Sequence, residues 1–263
     1  MVLSAFFSVL FSIFWTSLLI SMFYLQKYIF PGVEKDIYRI SLMILQSILS
    51  FLILFIIGAL EPFYIFGDIF MSFKFLFTTV LLFLGPICQE IIEIVNGFSE
   101  ISFISYIFGI IGQLLRNFPW ISVAIAPLLE EILYRVFNIN MWMSCGISMK
   151  KSIFLSPLVF GLSHFHHFFE TDRRRFGIRR LFIQTIVQCC YTTVFGWWAS
   201  FAWCRTHSLF AVFSLHAFCN FMQFPDFIGA IQWRYPKQRI VIIVSYIVGI
   251  IAFIFSTIKI SRY

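Results

Sequence analysis

The sequence predicts an all-α, polytopic membrane helix bundle with about eight transmembrane helices around a polar intramembrane cavity. Three observations predict it. Of 263 residues, 60% are hydrophobic and 12% charged, with a mean hydropathy of +0.92. A soluble domain is roughly 45–50% apolar and about 25% charged. Continuous apolar runs near the roughly 20 residues needed to cross a bilayer recur along the whole chain. The few ionisable residues inside those runs are concentrated in three short motifs.

The apolar runs are, in order, Val2 to Leu25, Ile40 to Leu60, Phe73 to Ile92, Phe118 to Cys145, Ile153 to Phe169, Leu181 to Cys204, Leu209 to Met222 and Ile240 to Ile258. The first lacks a basic residue before Lys27 and a small-residue cleavage site after it, so it reads as a retained helix rather than a signal peptide. The seventh is short for a full crossing and is expected to tilt into a protein-lined cavity. A further stretch, residues 101–115, fits a ninth span, a re-entrant piece or an interfacial helix. With eight spans, Lys and Arg concentrate in the odd-numbered connections, which places those in the cytosol and both termini in the lumen. One integral membrane domain over residues 1–263 is expected, its motif core at about 118–222.

The net charge of +7 does not call for a nucleic-acid partner, because basic residues are the normal dress of cytosolic loops. The run Asp172-Arg173-Arg174-Arg175 reads as a membrane-anchoring loop that also attracts anionic headgroups. The six cysteines include no C-x-x-C pair and sit mostly in apolar segments, where they serve as small hydrophobes.

A charge within a spanning segment costs several kcal/mol, so it persists where it faces an internal cavity. Glu130-Glu131-x-x-x-Arg135 is the first such group. Adjacent helical residues diverge by about 100°, so the two carboxylates have different surroundings. Glu131 and Arg135, four apart, share a face and can pair. Pro127 fits a first helical turn or a kink, either of which frees backbone N–H groups near Glu130. Glu130 is then a candidate general base braced by a structural pair; the alternative is an ion-pair cluster that only fixes packing. His164 closes the run Phe160-Gly161-Leu162-Ser163 and is followed by His166 and His167, which lie nearer the basic loop. His216 and Asn220, also four apart, put an imidazole and a carboxamide on one face. They suit an oxyanion site or a plain interhelical hydrogen-bond pair.

These three motifs, Glu130-Glu131-x-x-x-Arg135, Phe160-x-x-x-His164 and His216-x-x-x-Asn220, resemble in order those of the type II CAAX prenyl endopeptidases, the Ras-converting protease family within the Abi group. Leu82 to Pro86, Phe160 to His167, Tyr191 to Gly196 and His216 to Met222 are similar to its eukaryotic branch in particular. The resemblance implies a multi-pass protease of the endoplasmic reticulum membrane that removes the aaX tripeptide from prenylated CaaX C-termini, such as those of small GTPases. It implies Glu130 as the base that activates water, His164 holding that water, and His164, His216 and Asn220 as oxyanion donors. Glu131, Arg135 and Phe160 would support the site.

No cofactor is expected. Two carboxylates and two histidines could hold zinc, but no H-E-x-x-H occurs, and an arginine beside a metal is electrostatically awkward. Covalent catalysis by Ser163 or Cys219 lacks a base at a suitable offset. A proton-coupled transporter or a silent membrane scaffold stands as the alternative from another class.

Overall fold

The computed structural model describes residues 2–29, 34–57, 64–97, 118–170 and 177–262. Residues 101–115 and the basic run 172–175 lie outside them. Among the described residues the chain is helical, and the β-type pairing is one isolated bridge between Tyr64 and Ser208. Among the described residues each of the eight apolar runs is helical over most of its length, yet they differ in their capacity to cross a bilayer. Three helices are long and apolar enough by length and composition, over Ala5–Leu25, Lys35–Ile56 and Arg239–Ser261. A bent pair, Ile69–Leu82 with Leu84–Asn96, makes a fourth if it counts as one span.

The other runs form shorter or more polar helices. Met149–Ser163 has 15 residues and Leu209–Met222 has 14, or about 21–23 Å at 1.5 Å per residue. Ile178–Thr206 is 29 residues long but mixes Arg179, Arg180, Gln184 and Gln188 into its first half. Apolar side chains such as Phe6, Ile48, Phe55, Ile247 and Phe255 point outward from the long helices. Outward apolar faces of this extent belong in lipid rather than water. The chain is a helical, multi-pass membrane protein.

The described residues divide into two compact units, Met1–Ile69 with Ile125–Phe213, and Phe70–Ala124 with Ser214–Tyr263. In the first, α1 (Val2–Ile29) is tied to α2 (Lys35–Ile56) by polar side chains inside apolar helices. Trp15 Nε1 donates to Ser50 Oγ at 2.9 Å, and Gln46 Nε2 donates to the Trp15 carbonyl at 2.6 Å. Trp142 Nε1 donates to Ser12 Oγ at 2.8 Å, and its ring joins Leu54, Phe137 and Met141 in a buried cluster. Such hydrogen bonds hold helices together where the surroundings are as apolar as the side chains.

The Met149–Ser163 and Ile178–Thr206 helices of this unit meet at two glycines. A Cβ on Gly196 would sit 2.6 Å from Pro157 Cβ, and one on Gly161 would strike Thr193 Oγ1. Beyond Thr206 the chain turns through His207 at φ 46°. Residues 64–66 then pair with it, through Tyr64 N–H to the His207 carbonyl and Phe210 N–H to the Ile65 carbonyl.

In the second unit, α3 (Ile69–Leu82) and α4 (Leu84–Gly97) meet at 65° within the single apolar run Phe73 to Ile92. Pro86 explains the break: it offers no N–H, and its ring crowds the carbonyl four residues back, that of Leu82. The bend packs on the final helix, Arg239–Ser261, through small residues. A Cβ on Gly249 would lie 2.7 Å from the Leu81 carbonyl oxygen, and one on Gly85 would run into the Tyr246 ring. Thr78 and Ser256 share a hydroxyl hydrogen bond, and Gln89 Nε2 donates to Tyr246 Oη at 2.9 Å.

Because backbone cannot yield as a side chain does, Gly249→Val is expected to lose about 1–3 kcal/mol. It should therefore lower the melting temperature in detergent, whereas Ile250→Val, on an outward-facing residue, should leave it unchanged. Equal melting temperatures for both variants would remove the close approach as the reason for Gly249.

Candidate functional site

The first motif lies on a helix whose winding alternates along its length. A π turn, Ile121–Ile125, leads into the α-helical Ala126–Glu131, then a second π turn, Ile132–Phe137, and α-helical Asn138–Ser144. Pro127 stands in the first turn of the α-helical piece. It cannot donate to the Val123 carbonyl, so the ladder there must rearrange. At the far end Asn138 N–H reaches back five residues to Leu133 O. Isolated π turns within α-helices concentrate at functional sites; the sequence analysis expected only a cap or a kink.

The two glutamates are in different surroundings. Arg135 Nη1 donates to Glu131 Oε1 at 3.0 Å, with the two side chains 1% and 0% exposed. Glu130 is half-buried. The Arg135 guanidinium also lies 4.5 Å from the Phe160 ring centroid and 5.6 Å from that of Phe195. Two aromatic faces thus take up the cation where water is excluded. Phe160 is itself 1% exposed and packs on Leu133 and Tyr134. Phe160 is therefore the physical link between the first motif and the second.

His164 follows on the same segment, half-buried. Its Nδ1 is 2.9 Å from the Phe160 carbonyl oxygen, and its ring stands edge-on to the Phe160 ring at 4.9 Å. A carbonyl only accepts, so Nδ1 carries the proton and Nε2 of the neutral ring is an acceptor. That tautomer suits receiving a hydrogen bond from water; donating to an oxyanion would need the imidazolium. Ser163 Oγ donates to the same Phe160 carbonyl at 2.7 Å, so its proton is not on a base. His166 Nδ1 is bonded to the Ser163 carbonyl at 2.6 Å, and Tyr24 Oη donates to the His166 carbonyl at 2.7 Å.

The first unit thus brings together Glu130, Glu131, Arg135, Phe160 and His164; His216 and Asn220 belong to the second. His216 is buried and Asn220 exposed. Asn220 Nδ2 donates to the Ser122 carbonyl at 2.8 Å, which uses one of the two amide N–H groups. Phe218 and Phe221, on the same helix, pack against Phe83 at 5.3 Å and Phe118 at 6.3 Å. Among the described residues, no three His, Cys, Asp or Glu side chains converge as a metal site.

Sequence reasoning assigned no role to Phe195 and Gly196. Phe195 faces Arg135, and a Cβ on Gly196 would come within 3.3 Å of Arg135 Nη2 as well as striking Pro157. A glycine inside a long helix, where it costs about 1 kcal/mol, was the available signal of a close approach.

These features define a helical membrane protein with a buried ion pair beside a half-exposed glutamate and a histidine of fixed tautomer. Residues 113–222 match the family model described as type II CAAX prenyl endopeptidase Rce1-like. The chain is 36% identical over 166 residues to the probable CAAX prenyl protease 2 of Schizosaccharomyces pombe, covering 61% of this chain and 58% of that protein. It is 31% identical over 166 residues to CAAX prenyl protease 2 of Homo sapiens, covering 62% and 50%. It is 36% identical over 107 residues to that of Arabidopsis thaliana, covering 40% and 34%. Residues 113–222 are thus similar to an Rce1-like domain, and the chain is similar to CAAX prenyl protease 2 proteins of several eukaryotes, while the alignments span about half of the length of those relatives. No solved structure matches the chain.

Replacing Glu131 by Ala strands a buried guanidinium, which is expected to cost about 3–5 kcal/mol. Arg135→Lys should also destabilise, because an ammonium lacks the flat face that meets Phe160 and Phe195. Glu130→Gln should melt like the wild type. Thermal unfolding of the three variants in one detergent checks this; equal loss in Glu130→Gln would erase the difference between the glutamates.

Proposed function

We propose that this protein is an intramembrane endopeptidase that removes the aaX tripeptide from prenylated CaaX proteins. The observation that carries the reading is the unequal state of the glutamates. Glu131 is committed to Arg135, and Glu130 keeps partial exposure within a segment that matches the Rce1-like family model.

Glu130 takes a proton from water as the water oxygen attacks the scissile carbonyl carbon. His164 Nε2 accepts the second hydrogen of that water and holds it in line. The carbonyl electron pair moves onto oxygen, and His216 and Asn220 donate to the resulting oxyanion. Their part rests on motif order and on the matched segment that contains them. The C–N bond then breaks as Glu130 returns the proton to the leaving amine. Prenyl-cysteine and a free tripeptide result. Glu131, Arg135 and Phe160 hold the base in place without touching substrate.

The wider reading is a single domain of about eight spans in the endoplasmic reticulum membrane. Its substrates are prenylated C-termini such as those of small GTPases, presented from the bilayer, with neither metal nor nucleic acid required.

Purified protein in proteoliposomes should release the tripeptide from a farnesylated CaaX peptide and not from its unprenylated counterpart. Glu130→Ala should lower the rate by roughly 10²–10⁴-fold, and Cys219→Ala should leave it near wild type. Chelators should have no effect. Stoichiometric zinc together with chelator inactivation would establish the metalloprotease alternative. A folded wild type that cleaves neither peptide would point to the scaffold.

A further inference from the structure

The Ile178–Thr206 helix carries four polar side chains that the motifs do not use, at a spacing of four: Arg180, Gln184, Gln188 and Thr192. Residues four apart share a helical face, so these form one slowly turning stripe. Contacts fix its inner end. Phe195, two turns beyond Gln188 on the same face, has its ring 5.6 Å from the Arg135 guanidinium. Thr192 is buried, Gln188 half-buried, and Gln184 and Arg180 exposed. Thr192 is occupied, giving its hydroxyl to the Gln188 backbone carbonyl at 2.8 Å. Among the described residues the two carboxamides have no hydrogen-bond partner. Arg180 and Gln184 meet around one open depression of about 560 Å³, which Arg179 and Ile183 also line.

The stripe begins at the level of the candidate site. The Met149–Ser163 and Ile178–Thr206 helices run antiparallel, with Pro157 against Gly196 and Gly161 against Cys189 and Thr193. Three residues further in that register, His164 stands opposite Gln188. From Gln188 back to Arg180 is eight residues, or about 12 Å at 1.5 Å per residue. An extended tripeptide spans about 10–11 Å at 3.3–3.6 Å per residue, and a guanidinium on its long stem covers the difference. A peptide cut beside His164 therefore ends, three residues on, at Arg180. Each carboxamide offers both donors and an acceptor, which match a peptide group whatever its side chain. An arginine that only anchors the helix at the membrane surface needs neither glutamine behind it.

We infer that this stripe is the subsite for the three residues on the leaving side of the cut, with Arg180 taking the free C-terminal carboxylate. The inference rests on the endopeptidase reading above. Gln188 and Gln184 hold the backbone of the leaving segment, and Arg180 closes its end with a charge-assisted pair. The site thus measures the distance from the scissile bond to the C-terminus.

The test uses the full-length protein in phosphatidylcholine liposomes, which lack anionic headgroups, and a farnesylated CaaX peptide as free acid and as C-terminal amide. For the wild type the amide should raise KM about tenfold, roughly the worth of one charge-assisted hydrogen bond, with kcat within twofold. Arg180→Gln should raise KM for the acid to that of the amide and leave the amide unchanged, which isolates the pairwise contact. Arg180→Lys should keep part of the preference. Gln188→Leu should raise KM for both peptides alike. Arg262→Gln, an equal loss of charge at the exposed end of the last helix, should change neither.

Cleavage of acid and amide with equal KM by the wild type overturns the subsite and leaves the protease reading intact. An Arg180→Gln defect of equal size on both peptides does the same. Binding of the two peptides to Glu130→Gln, read by fluorescence anisotropy, separates the readings where the wild type cleaves neither. A tenfold preference for the acid that Arg180→Gln removes then upholds the carboxylate subsite and overturns the protease reading; equal binding overturns both. An Arg180→Gln defect that appears only once phosphatidylserine is added makes this a lipid-headgroup site and overturns the inference.

Discussion

The arrangement of the first unit depends on a single buried ion pair. Taking a carboxylate and a guanidinium out of water costs several kcal/mol for each ion, and a good contact must offset that. The 3.0 Å bond from Arg135 to Glu131 supplies part of the offset, and the faces of Phe160 and Phe195 supply more. Three helical segments therefore converge on one cation. The motif helix brings the pair, the 149–163 helix brings Phe160, and the 178–206 helix brings Phe195 and the space left by Gly196. Displacing any of the three exposes a charge to an apolar surrounding. The pair thus acts as a registration pin for this unit more than as a source of net stability.

That constraint explains what the sequence could and could not reveal. The spacing of four between Glu131 and Arg135 is a local property, and helix geometry alone separated Glu130 from it. Phe160 had no such signal, because its contact with Arg135 joins helices through tertiary packing, and only its resemblance to a known motif singled it out. The π turns on either side of Ala126–Glu131 were equally hidden. Pro127 announces that the ladder must change there, without saying how the neighbouring turns absorb it.

Membrane spans show the same division. Hydropathy located all eight apolar runs, since composition is local. It did not reveal which runs form one long helix, because that depends on breaks. Gly85-Pro86 lies within a run that reads as continuous, yet the helix turns through 65° there and packs its freed carbonyl edge against Gly249. Asn220 makes the complementary case. Its spacing from His216 was legible, whereas its bond to the Ser122 carbonyl, 98 residues away in sequence, was not.

The Phe160 carbonyl connects this scaffold to chemistry. In an uninterrupted helix it would accept the N–H of His164; here the segment tightens into a 3₁₀ turn at His164–His166, and the oxygen receives the His164 ring and the Ser163 hydroxyl. The first of those bonds sets the imidazole tautomer. The side chain of the same residue is the lid on Arg135. One phenylalanine therefore couples the position of the buried pair to the proton on His164. A shift of Phe160 would move the ion pair and loosen the histidine together. This is why a residue with no reactive atom belongs to the motif, and why the base, its brace and the histidine must be read as one unit rather than as separate sites.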